Sequence, residues 1–154
     1  MRKDELPDDY EELDFSLEEE TWNDYELSDG NRLRARLILK KIRRDPNNPA
    51  KIAFDLVPPI FVITSMPANR GEKNHEPNPQ EAFSLPHFEI KIKNSNERAN
   101  IYRILETGQT LRIKLSVNKI DRVTARFDNE GQPYYLVNAG PLVTMDPPNL
   151  TSGQ

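Results

Sequence analysis

The sequence contains no cysteine, which excludes disulfides and thiolate metal sites. It has only six glycines, and none falls in a GxGxxG or GxxxxGKS/T phosphate loop. Neither GxSxG nor HExxH occurs, so the common hydrolase and zinc-protease arrangements are missing too. Only two histidines are present, His75 and His87, both in or next to a stretch rich in Pro, Asn and Glu. They are too few for a preorganised ligand set, so neither a metal nor a cofactor is expected. Paired carboxylates abound only near the N-terminus, where little apolar surface is available to raise a carboxyl pKa for acid catalysis. The reading is that the chain is not an enzyme. No apolar run approaches the roughly 18 residues of a membrane span, and the opening MRKDELPDDYEELDFSLEEE lacks the apolar centre of a signal peptide. A cytoplasmic protein with no membrane contact is expected.

What the 154 residues do contain is charge, unevenly distributed. Residues 1–24 hold eleven acids against two bases, a balance of −9, and the remaining chain holds fourteen acids and nineteen bases, a balance of +5. Like charges in a segment with few apolar anchors repel one another and resist packing. The first 24 residues are therefore expected as an acidic, mobile arm. Phe15, Leu17 and Trp22 are the residues that would pin its end as an additional strand.

The body of the chain repeats itself. LSDGNRLRARLILKKIRR (27–44) and LETGQTLRIKLSVNKIDR (105–122) share eight identities in eighteen positions without a gap. Within each copy the apolar period is two. Leu33, Ala35, Leu37 and Leu39 alternate with Arg32, Arg34, Arg36 and Lys40, and Leu111, Ile113, Leu115 and Val117 alternate with Arg112, Lys114, Ser116 and Asn118. Successive strand side chains point to opposite faces, so both copies predict half-buried antiparallel strands. SDGN and ETGQ precede them and predict hairpin turns at Gly30 and Gly108. Downstream, AKIAFDLVPPIFVITS parallels QPYYLVNAGPLVTM, and each predicts two short strands broken at Pro58-Pro59 or Gly140-Pro141. The second hairpin, around DNEG (128–131), is expected to be longer.

A unit of roughly 40 residues buries too little apolar surface to offset its chain entropy, so the copies should pack on each other. The expected fold is all-β, with internally duplicated antiparallel units related by a pseudo-two-fold axis in one small barrel or sandwich. Repeat one covers 25–65 and repeat two 101–145, within a domain spanning 25–148. Between them lie a mobile linker, 66–87, and an extra strand, 88–93. Residues 149–154 read as a loose tail.

Two functional readings follow, neither catalytic. The first is a binding or accessory protein acting through protein partners or its own copy. The alternative is a nucleic-acid module using the basic faces formed by Arg32, Arg34, Arg36 and Lys40, with Arg112 and Lys114. An enzyme with an unrecognised pocket between the repeats comes last. Against any special role for the basic residues stands the commonest arrangement in antiparallel sheets, a solvated charged face paired with cross-strand acids.

Overall fold

The computed structural model describes residues 9–73 and 75–147, so the expected tail and the first eight residues of the arm lie outside the described residues. Ten strands follow in chain order: β1 (Glu11–Leu13), β2 (Phe15–Glu19), β3 (Asn23–Leu27), β4 (Arg32–Asp45), β5 (Asn48–Thr64), β6 (His87–Ile90), β7 (Ile92–Asn96), β8 (Ala99–Ile104), β9 (Thr110–Phe127) and β10 (Pro133–Met145). A 3-10 turn (Pro67–Asn69) and a one-turn helix, α1 (Pro79–Ala82), lie between β5 and β6. The protein is thus mostly β, in two antiparallel sheets that do not close on themselves.

In sheet A, β4 takes β5 along one edge and, along the other, β3 beside its first part and β1 beside its last. β7 flanks β3. In sheet B, β9 takes β10 along one edge and β8 and β6 along the other, and β2 flanks β8. Each half of the chain thus lends one strand to the other sheet: β2 joins sheet B and β7 joins sheet A. The alternating leucines of β4 and β9 face a common core. Leu33, Leu37, Leu39, Leu111, Leu115 and Val117 are buried there with Tyr25, Tyr102, Ile42 and Ile120. Removing such side chains from water is worth about 1.5–3 kcal/mol each.

Sharing one strand edge between two partners leaves a gap in the hydrogen-bond ladder. Residues 36–41 of β4 lie between its contacts with β3 and β1, and residues 115–119 of β9 between those with β8 and β6. Buried backbone groups there need other partners. Side chains of the opposite sheet supply them. Asn100 Nδ2 donates to Leu37 O (2.6 Å), and Asn23 Nδ2 donates to Leu115 O (3.0 Å). Leu39 N donates to Tyr102 Oη (3.4 Å), and Val117 N to Glu97 Oε2 (3.2 Å). Each asparagine also accepts one backbone N–H, Asn23 Oδ1 from Arg98 and Asn100 Oδ1 from Thr21. The phenols complete the cross: Tyr25 OH donates to Glu97 Oε2 (2.7 Å) and Tyr102 OH to Glu20 Oε2 (2.8 Å). Burial, reinforced by the neighbouring Glu97 or Glu20, pushes both phenols up, Tyr102 to about 12. They remain protonated donors at neutral pH.

A second pair of cross-sheet contacts closes the ends. Arg44 of β4 meets the carboxylate of Glu106, in the β8–β9 turn, with Nη2 2.9 and 3.0 Å from its two oxygens. Arg122 of β9 donates to Asp29, in the β3–β4 turn, at 3.2 Å. Asp29 also accepts from Tyr135 OH (2.5 Å), and Asn31 Nδ2 donates to the same phenol oxygen (2.6 Å). Both turns use a glycine at positive φ, Gly30 at 87° and Gly108 at 73°, where an L side chain is disfavoured.

Four features differ from the sequence-based expectation. Residues 11–24, read as arm, form β1, β2 and the start of β3. Leu13 is buried in the core, and the acids meet bases: Glu11 with Arg44, Glu12 with Lys41, Glu18 with Arg103, Glu20 with Arg36, Asp24 with Arg34. Paired in this way, the carboxylates no longer repel one another unopposed. The segment read as linker is tied to the far end of sheet B, where Gly71 N donates to Gly131 O, Thr124 N donates to Pro86 O and Ala82 is fully buried. The single strand expected over 88–93 is the β6–β7 pair, split between the two sheets. Finally, neither Pro58-Pro59 nor Gly140-Pro141 breaks its strand. β5 and β10 are sheet-edge strands, and a proline without N–H is tolerated where no neighbour needs that donor.

Candidate interaction surface

Because β4 and β9 turn their leucines inward, their basic residues point out, on the outer faces of two different sheets with the core between them. The structure brings Arg32, Arg34 and Arg36 together on β4 and Arg112 and Lys114 together on β9, but does not join the two rows. Lys40 sits apart, at an irregularity in the β4–β5 register between Leu39 and Lys41.

Most of these cations have partners. Arg34 lies 3.3 Å from Asp24, Arg36 2.8 Å from Glu20, Arg112 2.8 Å from Asp146 and Lys114 3.9 Å from Glu97. Among the described residues, no carboxylate pairs with Arg32 or Lys40. Arg32 instead stands where three shallow grooves meet, flanked by Asp24, Glu26 and Asn94.

The unusual feature of the sheet A face is Trp22, the only tryptophan in the chain. It is half-buried, immediately before β3. The guanidinium carbons of Arg34 and Arg36 lie 4.8 and 5.6 Å from its ring centroid, within cation–π range. Across the ladder from these arginines, Val62 pairs with Arg34 and Ile60 with Arg36. Both aliphatic side chains are substantially exposed, at 42% and 39%. The face therefore combines one aromatic ring, two arginines held by carboxylates and two exposed β-branched side chains.

Arg34 and Arg36 were legible as candidates from the alternation. Trp22, Ile60 and Val62 were not, because Trp22 lies in a segment whose acidity suggests a tail and the aliphatics lie beside a proline pair that suggests a strand break. Among the described residues, no group of three or more His, Asp or Glu side chains is placed to hold a metal ion, and no helix is long and apolar enough to cross a membrane. No protein-family model matches the chain, and no curated protein or solved structure matches it.

Proposed function

We propose that this chain is a non-catalytic binding or accessory protein of the cytoplasm, which engages a protein partner through the outer face of sheet A. The observation that carries the reading is Trp22 held beneath Arg34 and Arg36, next to exposed Ile60 and Val62. Tryptophan and arginine are the residue types most often found to dominate binding energy at protein interfaces, and paired guanidinium groups are already ordered before a partner arrives. Nucleic acid is less well supported, since four of the six candidate cations already neutralise a carboxylate and the two rows face opposite ways. Edge-to-edge self-pairing is also less favoured, because Pro58, Pro59 and Pro141 have no N–H to donate along the β5 and β10 edges.

We further read the chain as one domain formed by duplication, with a pseudo-two-fold relation between its halves. Support comes from the matched strand partners of β4 and β9 and from the matched asparagine caps of their ladder gaps. The functional reading is tested by affinity capture with wild-type and Trp22→Ala baits, followed by titration with the purified partner. A partner lost with Trp22→Ala, and bound with little dependence on salt, is the expected result. Retention of every captured protein by the variant, or a steep salt-dependent affinity for DNA or RNA, would sink it.

A further inference from the structure

The outer face of sheet B carries a cleft beside β9 and β10. It has a volume of about 510 Å³ and lies between Phe83 and His87 on one side and residues 136–139 of β10 on the other, with Lys119 and Asp121 of β9 in its floor. At the matching place on β4, the outer face is crossed by ion pairs, Lys41 with Glu12 and Arg43 with Asp55.

Asp121 is the unusual group. It is only 9% exposed. Its Oδ2 lies 3.0 Å from His87 Nδ1 and 3.8 Å from Lys119 Nζ, but its Oδ1 is buried without a hydrogen-bond partner. A buried acceptor left unpaired is unfavourable, more so when it is charged. Lys119 offers little compensation, being long-range and mostly solvated. Directly across the ladder from Asp121 stands Glu89 of β6, and like charges opposite one another destabilise a sheet. Both observations ask for a further cationic donor. The wall supplies a complementary surface: Phe83 is 72% exposed, and His87 Nε2 lies 3.3 Å from Phe83 O, which holds that wall beside the carboxylate.

We propose that this cleft binds a small organic amine, its ammonium hydrogen-bonded at the Asp121 carboxylate and its apolar body lying against Phe83 and Leu136. The ammonium would bring positive charge to a carboxylate whose Oδ1 has no donor, offset the Asp121–Glu89 repulsion and approach the face of an aromatic ring. Lys119 is the competing cation at the same carboxylate.

The test is an NMR titration of the intact protein with 2-phenylethylamine, against 3-phenylpropionate and 2-phenylethanol as probes of the same ring without the ammonium. The expected result is saturable shifts near Phe83 and His87 with the amine, at an affinity about tenfold or more above that of the acid or the alcohol. Asp121→Asn should weaken amine binding about tenfold and Glu89→Gln a few-fold, while Trp22→Ala leaves it unchanged. Glu89 is exposed, so its variant stays folded and reads the charge contribution even if Asp121→Asn perturbs the sheet. Equal affinity for acid and amine, no saturation up to about 10 mM, or full affinity in a folded Asp121→Asn protein overturns the proposal.

Discussion

Beside Arg36 on the outer face of sheet A lies Trp22; beside Lys114 on the outer face of sheet B lies Ala99. Farther along, β4 is crossed by surface ion pairs, whereas β9 borders a cleft walled by the α1 segment. Inside, the two sheets treat their ladder gaps alike, each capped by an asparagine and a tyrosine–glutamate pair from the other sheet. What both sheets share is required to bury a gapped ladder in a dry core. What only one possesses is not required for that, and this is why the two proposed binding sites are placed at Trp22 and Asp121.

If the shared features hold the fold, disturbing them should hurt equally in either sheet. Leu37→Ala and Leu115→Ala should each cost roughly 2–5 kcal/mol, as truncations of buried core residues. Asn23→Ala and Asn100→Ala should each cost about 2–4 kcal/mol, since each strands a buried strand carbonyl and a backbone N–H at once. Urea unfolding midpoints measure all four. A cost confined to one member of either pair would break the comparison.

The phenols give a pH test of the same crossing. Tyr25 and Tyr102 hold their protons above the ordinary value of 10.0 because burial and a neighbouring glutamate disfavour the phenolate. A raised folded-state pKa of this kind contributes stability that is fully present below pH 10 and lost as pH rises through the folded value, about 12 for Tyr102. Stability should therefore decline from about pH 10 upward, and Tyr102→Phe, though less stable at pH 7, should decline less steeply. An identical slope for the variant would mean that other groups set the alkaline limit.

At the ends of the sheets, similar contacts differ in burial. Asp29 and Arg122 are both largely buried and share Tyr135, whereas Glu106 leaves more than half of its side chain in water. Asp29→Ala should cost about 2–3 kcal/mol, by orphaning a guanidinium and a phenol. Glu106→Ala should cost under about 1 kcal/mol, because exposed ion pairs are screened. Equal costs would show that exposure does not separate the two ends.

These contrasts also mark what the sequence could convey. β4 and β9 were readable because their period of two runs unbroken for seven or more residues, from Leu33 to Leu39 and from Leu111 to Val117, and a helix would scatter those leucines. β1 and β2 are too short and too charged to announce themselves, and their strand character comes from the edges they meet; β6 and β7 read as a single strand because nothing in FEIKIK marks the change of sheet. The gap-free repeat also hid one registration. It aligned Leu27 with Leu105, yet Leu27 is 1% exposed and Leu105 57%. The residue that holds the place of Leu27 is Ile104: Leu27 N donates to Asn31 O and Ile104 N to Gln109 O, so the second turn is one residue longer. Shifting the comparison by that residue brings Glu20-x-x-Asn23-x-Tyr25 onto Glu97-x-x-Asn100-x-Tyr102, the motif that caps both ladders. Of the outer faces, the arginines were legible and their partners were not, since a partner across a sheet has no fixed sequence spacing.

The smallest contrast lies in the backbone. Ala125, near the end of β9, has φ of 58°, and among the described residues it is the one non-glycine at positive φ. It sits where the β9–β10 register shifts, between Arg122 opposite Tyr135 and Phe127 opposite Pro133. The left-handed region strains an L side chain by about 1–2 kcal/mol, and glycine removes that strain. Glycine also gives the unfolded chain more freedom, which costs about 0.4–1 kcal/mol. Because Ala125 is exposed, little packing is lost, and Ala125→Gly should stabilise by about 0.5 kcal/mol. Sheet A provides the control. Ala53 in β5 pairs regularly with Arg43 and has ordinary strand geometry, so Ala53→Gly should destabilise by about 0.5–1 kcal/mol. Opposite shifts in the two urea midpoints are the expected outcome. Destabilisation by both would mean that the backbone at Ala125 relaxes without help, and that the register shift in β9 is imposed by the 128–132 turn and not by the residue itself.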